Sequence, residues 1–190
     1  RLAPKWHLTP YDWGYFAIIR DTAKLSFAPR SLEDLTRPEC AKRLILLDPR
    51  SSTPGQGFVA WTRAVYGQAY LDYWKRLKPS ILTVAPGWDT GYGLFTAGEA
   101  PLVISYTTSP AYHAEYEEAG RYEALVFPEG HMAQIEGAGM VSGAPNRKGA
   151  QAFLDFLVSS EAQAVIPLTQ WMYPVREDIP LPTSYDYAPK

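Results

Sequence analysis

LILLDPRSSTPGQGF, residues 44–58, is the stretch on which the fold turns. Leu44 to Leu47 is a short, unbroken apolar run, the pattern of a strand covered on both faces. Asp48-Pro-Arg-Ser-Ser-Thr-Pro-Gly55 ends the run with turn residues, and Ser52 or Thr53 followed by Pro54 predicts the start of a helix. A strand passing through a short loop into a helix is the repeating unit of an α/β domain. The loop itself admits two roles. Its hydroxyls and free backbone N–H groups suit a phosphate or carboxylate at the positive end of a helix; alternatively, Ser52 or Thr53 does no more than cap that helix.

The same alternation continues on both sides. Tyr15 to Ile19, Ile81 to Val84, Leu102 to Tyr106 and Ala124 to Phe127 read as further buried strands. Between them, Phe58, Trp61 and Val65, then Tyr70, Trp74 and Leu77, are spaced for one face of two consecutive helices. Ser109 with Pro110 is expected to cap and open another helix running through Glu118. The pattern predicts a mainly parallel or mixed sheet. After Pro128-Glu129-Gly130 a second unit is expected, with a strand from Ile135 to Val141 and a helix capped by Asn146. That helix carries Ala150, Phe153, Leu154, Leu157 and Val158 at i, i+3, i+4, i+7 and i+8, a stripe that something must cover. The tail after Val175, rich in Pro, Asp and Tyr, is expected to be extended or frayed.

Composition narrows the function. With 46% hydrophobic and 20% charged residues the chain is a globular one that can bury a substantial core. A net charge of -2 without any Lys/Arg-rich run argues against nucleic acid or anionic lipid as a partner. The longest apolar runs fall far short of the roughly 20 residues that span a bilayer. Arg1 is not followed by a signal-peptide core, so the chain is read as either cytoplasmic or already trimmed. A lone Cys40 excludes an internal disulfide, and His7, His113 and His131 lack zinc-ligand spacing. No metal or cofactor is expected, and Glu115, Glu117 and Glu118 read as a solvated helix face.

Ligands of open α/β sheets lie beyond the carboxyl ends of strands. Such ends carry Ser52, Trp88, and Tyr106 with Tyr112, which predicts one shared crevice. Trp171-Met-Tyr-Pro174 adds an aromatic pair in a loop, where Trp171 is placed to close a site like a lid. With 6 Trp and 13 Tyr the chain has rings to spare for gripping a flat or cationic ligand.

Thr9-Pro-Tyr-Asp-Trp-Gly-Tyr15, Asp48-Pro-Arg-Ser-Ser-Thr-Pro-Gly55, Gly87-Trp88 with Tyr92-Gly-Leu-Phe95, Ser105-Tyr-Thr-Thr-Ser-Pro-Ala-Tyr112 and Trp171-Met-Tyr-Pro-Val175 together resemble the periplasmic thiamine-binding proteins of bacterial ABC importers in order and spacing. The resemblance implies an α/β fold of the type II periplasmic-binding-protein kind: one near-complete lobe with a mixed sheet, plus hinge strands and C-terminal helices of the other lobe. Residues 1–16 are then linker and first hinge crossing, and 17–127 the ligand-binding lobe. Residues 128–190 become the return crossing, helices and tail belonging to the other, mostly absent lobe.

The resemblance implies thiamine, thiamine monophosphate or thiamine diphosphate as ligand. Ser52, Trp88 and Tyr106 take its phosphate or hydroxyethyl end, Tyr112 and Trp171 its rings, and Asp12 at the hinge supplies a countercharge. Thiamine is a permanent thiazolium cation joined to a flat aminopyrimidine, so each aromatic face offers about 0.5–2 kcal/mol of cation–π attraction once water is excluded. The implied partner is an ABC-transporter permease. The implied location is periplasmic or extracytoplasmic, with a membrane anchor in the precursor left open. The uncovered stripe implies self-association or pairing with the missing lobe. Two rival functions stand beside this one. A ferric-ion or other anion carrier of the same fold would use clustered tyrosines, which Trp88 and Trp171 oppose because an indole cannot ligate iron. A thiamine-degrading enzyme would need Cys40 as nucleophile, away from the strand ends.

Overall fold

The computed structural model describes residues 7–189, so the first six residues of the expected linker lie outside the described residues. Its longest strand, β1 (Thr9–Asp21), organises the rest. β2 (Leu44–Leu47) lies parallel to both β3 (Ile81–Ala85) and β4 (Leu102–Tyr106). β4 pairs antiparallel with the second half of β1, from Phe16 opposite Tyr106 to Arg20 opposite Leu102. β5 (Tyr122–Leu125) flanks β1 on the other side, giving the order β3-β2-β4-β1-β5. The sheet is therefore mixed, as the alternation of strands and helices implies.

The first half of β1 takes different partners. It pairs antiparallel with β6 (Ala133–Ala138), from Thr9 opposite Ala138 to Tyr15 opposite Ala133, and with the short β7 (Tyr173–Pro174). One continuous strand thus belongs at one end to the main sheet and at the other to a small ribbon.

Six helices among the described residues connect these strands: α1 (Thr53–Tyr66), α2 (Tyr70–Leu77), α3 (Trp88–Thr96), α4 (Ser109–Tyr116), α5 (Arg147–Leu157) and α6 (Ser160–Thr169). All of β2 is buried, and Ile18, Ile19, Phe58, Trp61, Tyr73 and Phe95 fill the core around it. α1 and α3 lie close on the sheet because glycine faces it. A Cβ on Gly57 would run into the ring of Phe16, and one on Gly91 into the side chain of Leu47.

The structure revises several boundaries. β1 starts at Thr9 rather than Tyr15, because its polar first half is ordered by pairing with β6 and not by burial on both faces. β5 ends at Leu125, since the Phe127 amide donates to Nε2 of His131 (2.8 Å) instead of to a neighbouring strand. β6 stops at Ala138, short of Val141. The N-cap of α4 is Thr108, while Ser109 is already helical. On α2 the buried side chains are Tyr73 and Leu77, not Tyr70; the Tyr73 hydroxyl donates to Leu32 O (2.9 Å). The tail is not frayed. Thr183–Tyr187 forms a 3-10 turn whose buried Tyr185 donates to the carbonyls of Pro167 (2.8 Å) and Met172 (3.1 Å).

Asn146 caps α5 as expected, its side chain accepting from the Gly149 amide at 2.9 Å. No residue of α5 is buried, and Phe153 and Phe156 are 58% and 53% exposed. Of the apolar stripe read from the sequence, Phe153 is exposed, while Ala150, Leu154, Leu157 and Val158 are half-buried among the described residues.

Candidate functional site

Because β2, β3 and β4 run parallel and are followed by α1, α3 and α4, the first turns of those helices share one edge of the sheet. Backbone N–H groups at helix starts have no intrahelical acceptor, so this edge suits polar and anionic groups. Against it lies a cavity of about 640 Å³. Trp88 and Tyr92 of α3, Tyr106, Thr108, Ser109 and Tyr112 at the β4–α4 junction, and Trp171 line it. Of the residues singled out in the sequence, the structure brings Trp88, Tyr106, Tyr112 and Trp171 to this cavity.

The α3 wall is held in place from several sides. The Trp88 ring stacks on Tyr92 with centroids 4.8 Å apart and planes 15° apart. Its indole N–H donates to Ser105 Oγ (2.8 Å), which is bonded in turn to Ser109 Oγ (2.8 Å). Tyr106 donates to Gln134 Oε1 (2.9 Å), linking the cavity to β6, and burial pushes its phenol well above the ordinary range.

The opposite wall is looser. Tyr112 is 39% exposed and meets Trp171 edge to face, with centroids 5.2 Å apart; Tyr116 meets Trp171 in the same way at 5.7 Å. Trp171 sits at φ +56°, a left-handed conformation unfavourable for a bulky residue by about 1 kcal/mol or more. The surrounding loop enforces it. Buried Gln163 donates to Tyr11 O (2.7 Å) and accepts from the Val175 amide (2.7 Å), tying α6 to β1 and to the segment after Trp171. Tyr173, the other ring of that loop pair, is 2% exposed and packs on Trp13 and Tyr185.

Two sequence-predicted residues do not line the cavity. Ser52 occupies the N-cap position of α1 without capping it; its Oγ is buried and has no hydrogen-bond partner among the described residues. Asp12 is fully buried on the first half of β1, with both carboxylate oxygens unpartnered among the described residues. Burial, with Glu136 nearby as a like charge, pushes its carboxyl up to about 7. It therefore carries only part of a negative charge at neutral pH. Cys40 is buried away from the cavity, and burial pushes its thiol up to about 11, far from a reactive thiolate.

Sequence reasoning missed Tyr92 and Glu117 as lining residues. Tyr92 lies one turn after Trp88. Glu117 lies one turn after His113, whose Nδ1 is 2.8 Å from Glu117 Oε2 and whose Nε2 is 2.8 Å from the Tyr92 hydroxyl. The i, i+4 spacing was the available signal in both cases.

Strand ends and helix starts converging on one aromatic-walled cavity define an α/β ligand-binding protein. The comparisons narrow that class. The chain matches the family described as bacterial extracellular solute-binding protein over residues 2–187, and it belongs to that family. It is 46% identical over 182 residues to the thiamine-binding periplasmic protein of Brucella melitensis, covering 95% of this chain and 54% of that protein. To the thiamine-binding periplasmic protein of Escherichia coli K12 it is 43% identical over 181 residues, covering 95% and 55%. A solved periplasmic thiamin binding protein superposes with a TM-score of 0.92 at 42% identity, over 97% of this chain and 57% of that one. The fold is that of the type II periplasmic binding proteins. The chain spans about half the length of the curated relatives it matches.

Proposed function

We propose that this chain carries one face of a cleft that captures thiamine or its phosphate esters outside the cytoplasm and hands them to an ABC-transporter permease. The single observation that carries the reading is the cavity between Trp88–Tyr92 and Tyr112–Trp171, in a chain 46% identical to a named thiamine-binding protein. Flat aromatic walls suit a flat cation, and Tyr112 and Trp171 are the rings free to close on it. The sheet edge built from the starts of α1, α3 and α4, with the Ser52 hydroxyl unpartnered among the described residues, suits a hydroxyethyl or phosphate group.

On this reading residues 17–127 form the ligand-binding lobe. The first half of β1 and β6 are crossings to a second lobe, and the stripe on α5 packs against it. On this reading the cleft is completed by that lobe in the full-length protein. No covalent step is required, so the protein acts as a carrier and not an enzyme. A ferric carrier would need phenolate ligands. The Tyr92 and Tyr106 hydroxyls are already hydrogen-bonded, and burial raises both.

Calorimetric titration of the full-length protein with thiamine, its two phosphate esters and ferric citrate tests the reading. Saturable binding of at least one thiamine compound, with no heat from ferric citrate, is expected. Ferric binding with no response to any thiamine compound would overturn it.

A further inference from the structure

We propose that Glu117 is the carboxylate that makes this cavity prefer a positively charged ring, and that the buried His113 is the positioning residue that holds it there. The inference rests on the cavity being the thiamine site proposed above. Among the described residues the cavity lining includes two carboxylates, Asp89 and Glu117, and no lysine, arginine or histidine. Asp89 lies in the first turn of α3, where the helix dipole already engages its charge, and it is held by no ion pair among the described residues. Glu117 sits at the end of α4, beside Tyr112 in the lining, and is anchored.

The anchor explains why the charge survives. His113 is 1% exposed, with the Tyr122 ring of β5 against it at 4.0 Å and Tyr92 of α3 at hydrogen-bond distance. The charged groups around it are Glu117 on its own helix and the ion pair of Arg121 with Asp21 of β1, 2.9 Å apart. Burial dominates and holds the imidazole below its ordinary value, so it is neutral at neutral pH. A neutral imidazole satisfies both contacts in one tautomer: Nδ1–H donates to Glu117, and Nε2 accepts from the Tyr92 hydroxyl. A lysine or arginine in that place would fix the carboxylate and cancel its charge. Neutral His113 fixes the half-exposed carboxylate without setting a cation against it. Only Oε2 is taken; Oε1 has no hydrogen-bond partner among the described residues.

The test compares thiamine with a neutral isostere in which a thiophene ring replaces the thiazolium, both titrated into full-length protein. Wild type is expected to favour the cation. Glu117→Gln, which keeps size and polarity, is expected to weaken thiamine binding about tenfold and isostere binding by less than about twofold. His113→Asn, whose amide N–H replaces Nδ1–H, is expected to retain most of the cation preference, and His113→Leu to lose it; thermal melts verify that each variant is folded. Equal losses for both ligands in Glu117→Gln, or an unchanged preference, would overturn the proposal while leaving thiamine binding intact. Failure of wild type to bind either ligand would overturn the thiamine reading itself, and this proposal with it.

Discussion

The two halves of β1 support the cavity in opposite ways. From Phe16 to Ile19 the strand is apolar and buried, part of the sheet on which α3 presents Trp88. That ring is stacked and hydrogen-bonded before any ligand arrives. From Thr9 to Tyr15 the strand pairs with β6 and β7, carries the buried Asp12, and stands beside the segment that leads out of Trp171. That ring has edge contacts with Tyr112 and Tyr116 and a strained backbone. The sheet half supplies a preset wall; on the proposed function, the ribbon half supplies one that a ligand completes. On that same reading, the preset wall lowers the cost of binding, and the edge-packed Trp171 is the ring that a ligand meets last.

Asp12 gives the largest expected effect on this contrast. Its carboxyl holds a proton up to about pH 7 in the folded chain, against 3.8 ordinarily. It therefore favours folding fully below the lower value, and that contribution is lost as pH rises towards 7. The full span is at most about 4 kcal/mol. Asp12→Asn removes the titration, so its stability relative to wild type should climb between pH 4 and 7 in urea unfolding at a series of pH values. A difference independent of pH would remove the buried carboxylate from the account of the ribbon half.

The sheet half is tested by Ile19→Ala, expected to cost about 3 kcal/mol in the same unfolding measurement while leaving the affinity of folded full-length protein unchanged. A loss of affinity with little loss of stability would erase the distinction between the halves. Smaller still is the contribution of a single ring. Trp171→Ala should weaken thiamine binding by up to about 2 kcal/mol, some thirtyfold, in calorimetry. The α5 stripe gives the smallest effect: this chain is expected to self-associate at high concentration in light scattering, and Phe153→Ser to reduce that by about 1 kcal/mol.

Much of the sheet was legible before the structure. Leu44 to Leu47 and Leu102 to Tyr106 are unbroken apolar runs between turn residues, and both strands fall where the pattern places them. That Trp88 and Tyr112 lie together follows from the rule that ligands lie at strand ends, because α3 and α4 begin just after β3 and β4. What stayed hidden depends on contacts distant in sequence. Thr9 to Tyr15 is a strand only because β6 pairs with it. Tyr185 is ordered by carbonyls of Pro167 and Met172. The turn that aims Trp171 is enforced by Gln163, whose role no local pattern announces. Glu115, Glu117 and Glu118 are all exposed, as the polar helix face implies; what the sequence did not show is that Glu117 is also bonded to His113, which is buried by rings on α3 and β5.

The central claim, that Trp171 is the ring a flat cation completes, is tested most directly by tryptophan fluorescence during thiamine titration of full-length protein. Wild type and Trp88→Phe should both be quenched on saturation, and Trp171→Phe should lose most of the quenching. Quenching that persists undiminished in Trp171→Phe and disappears in Trp88→Phe would contradict the account.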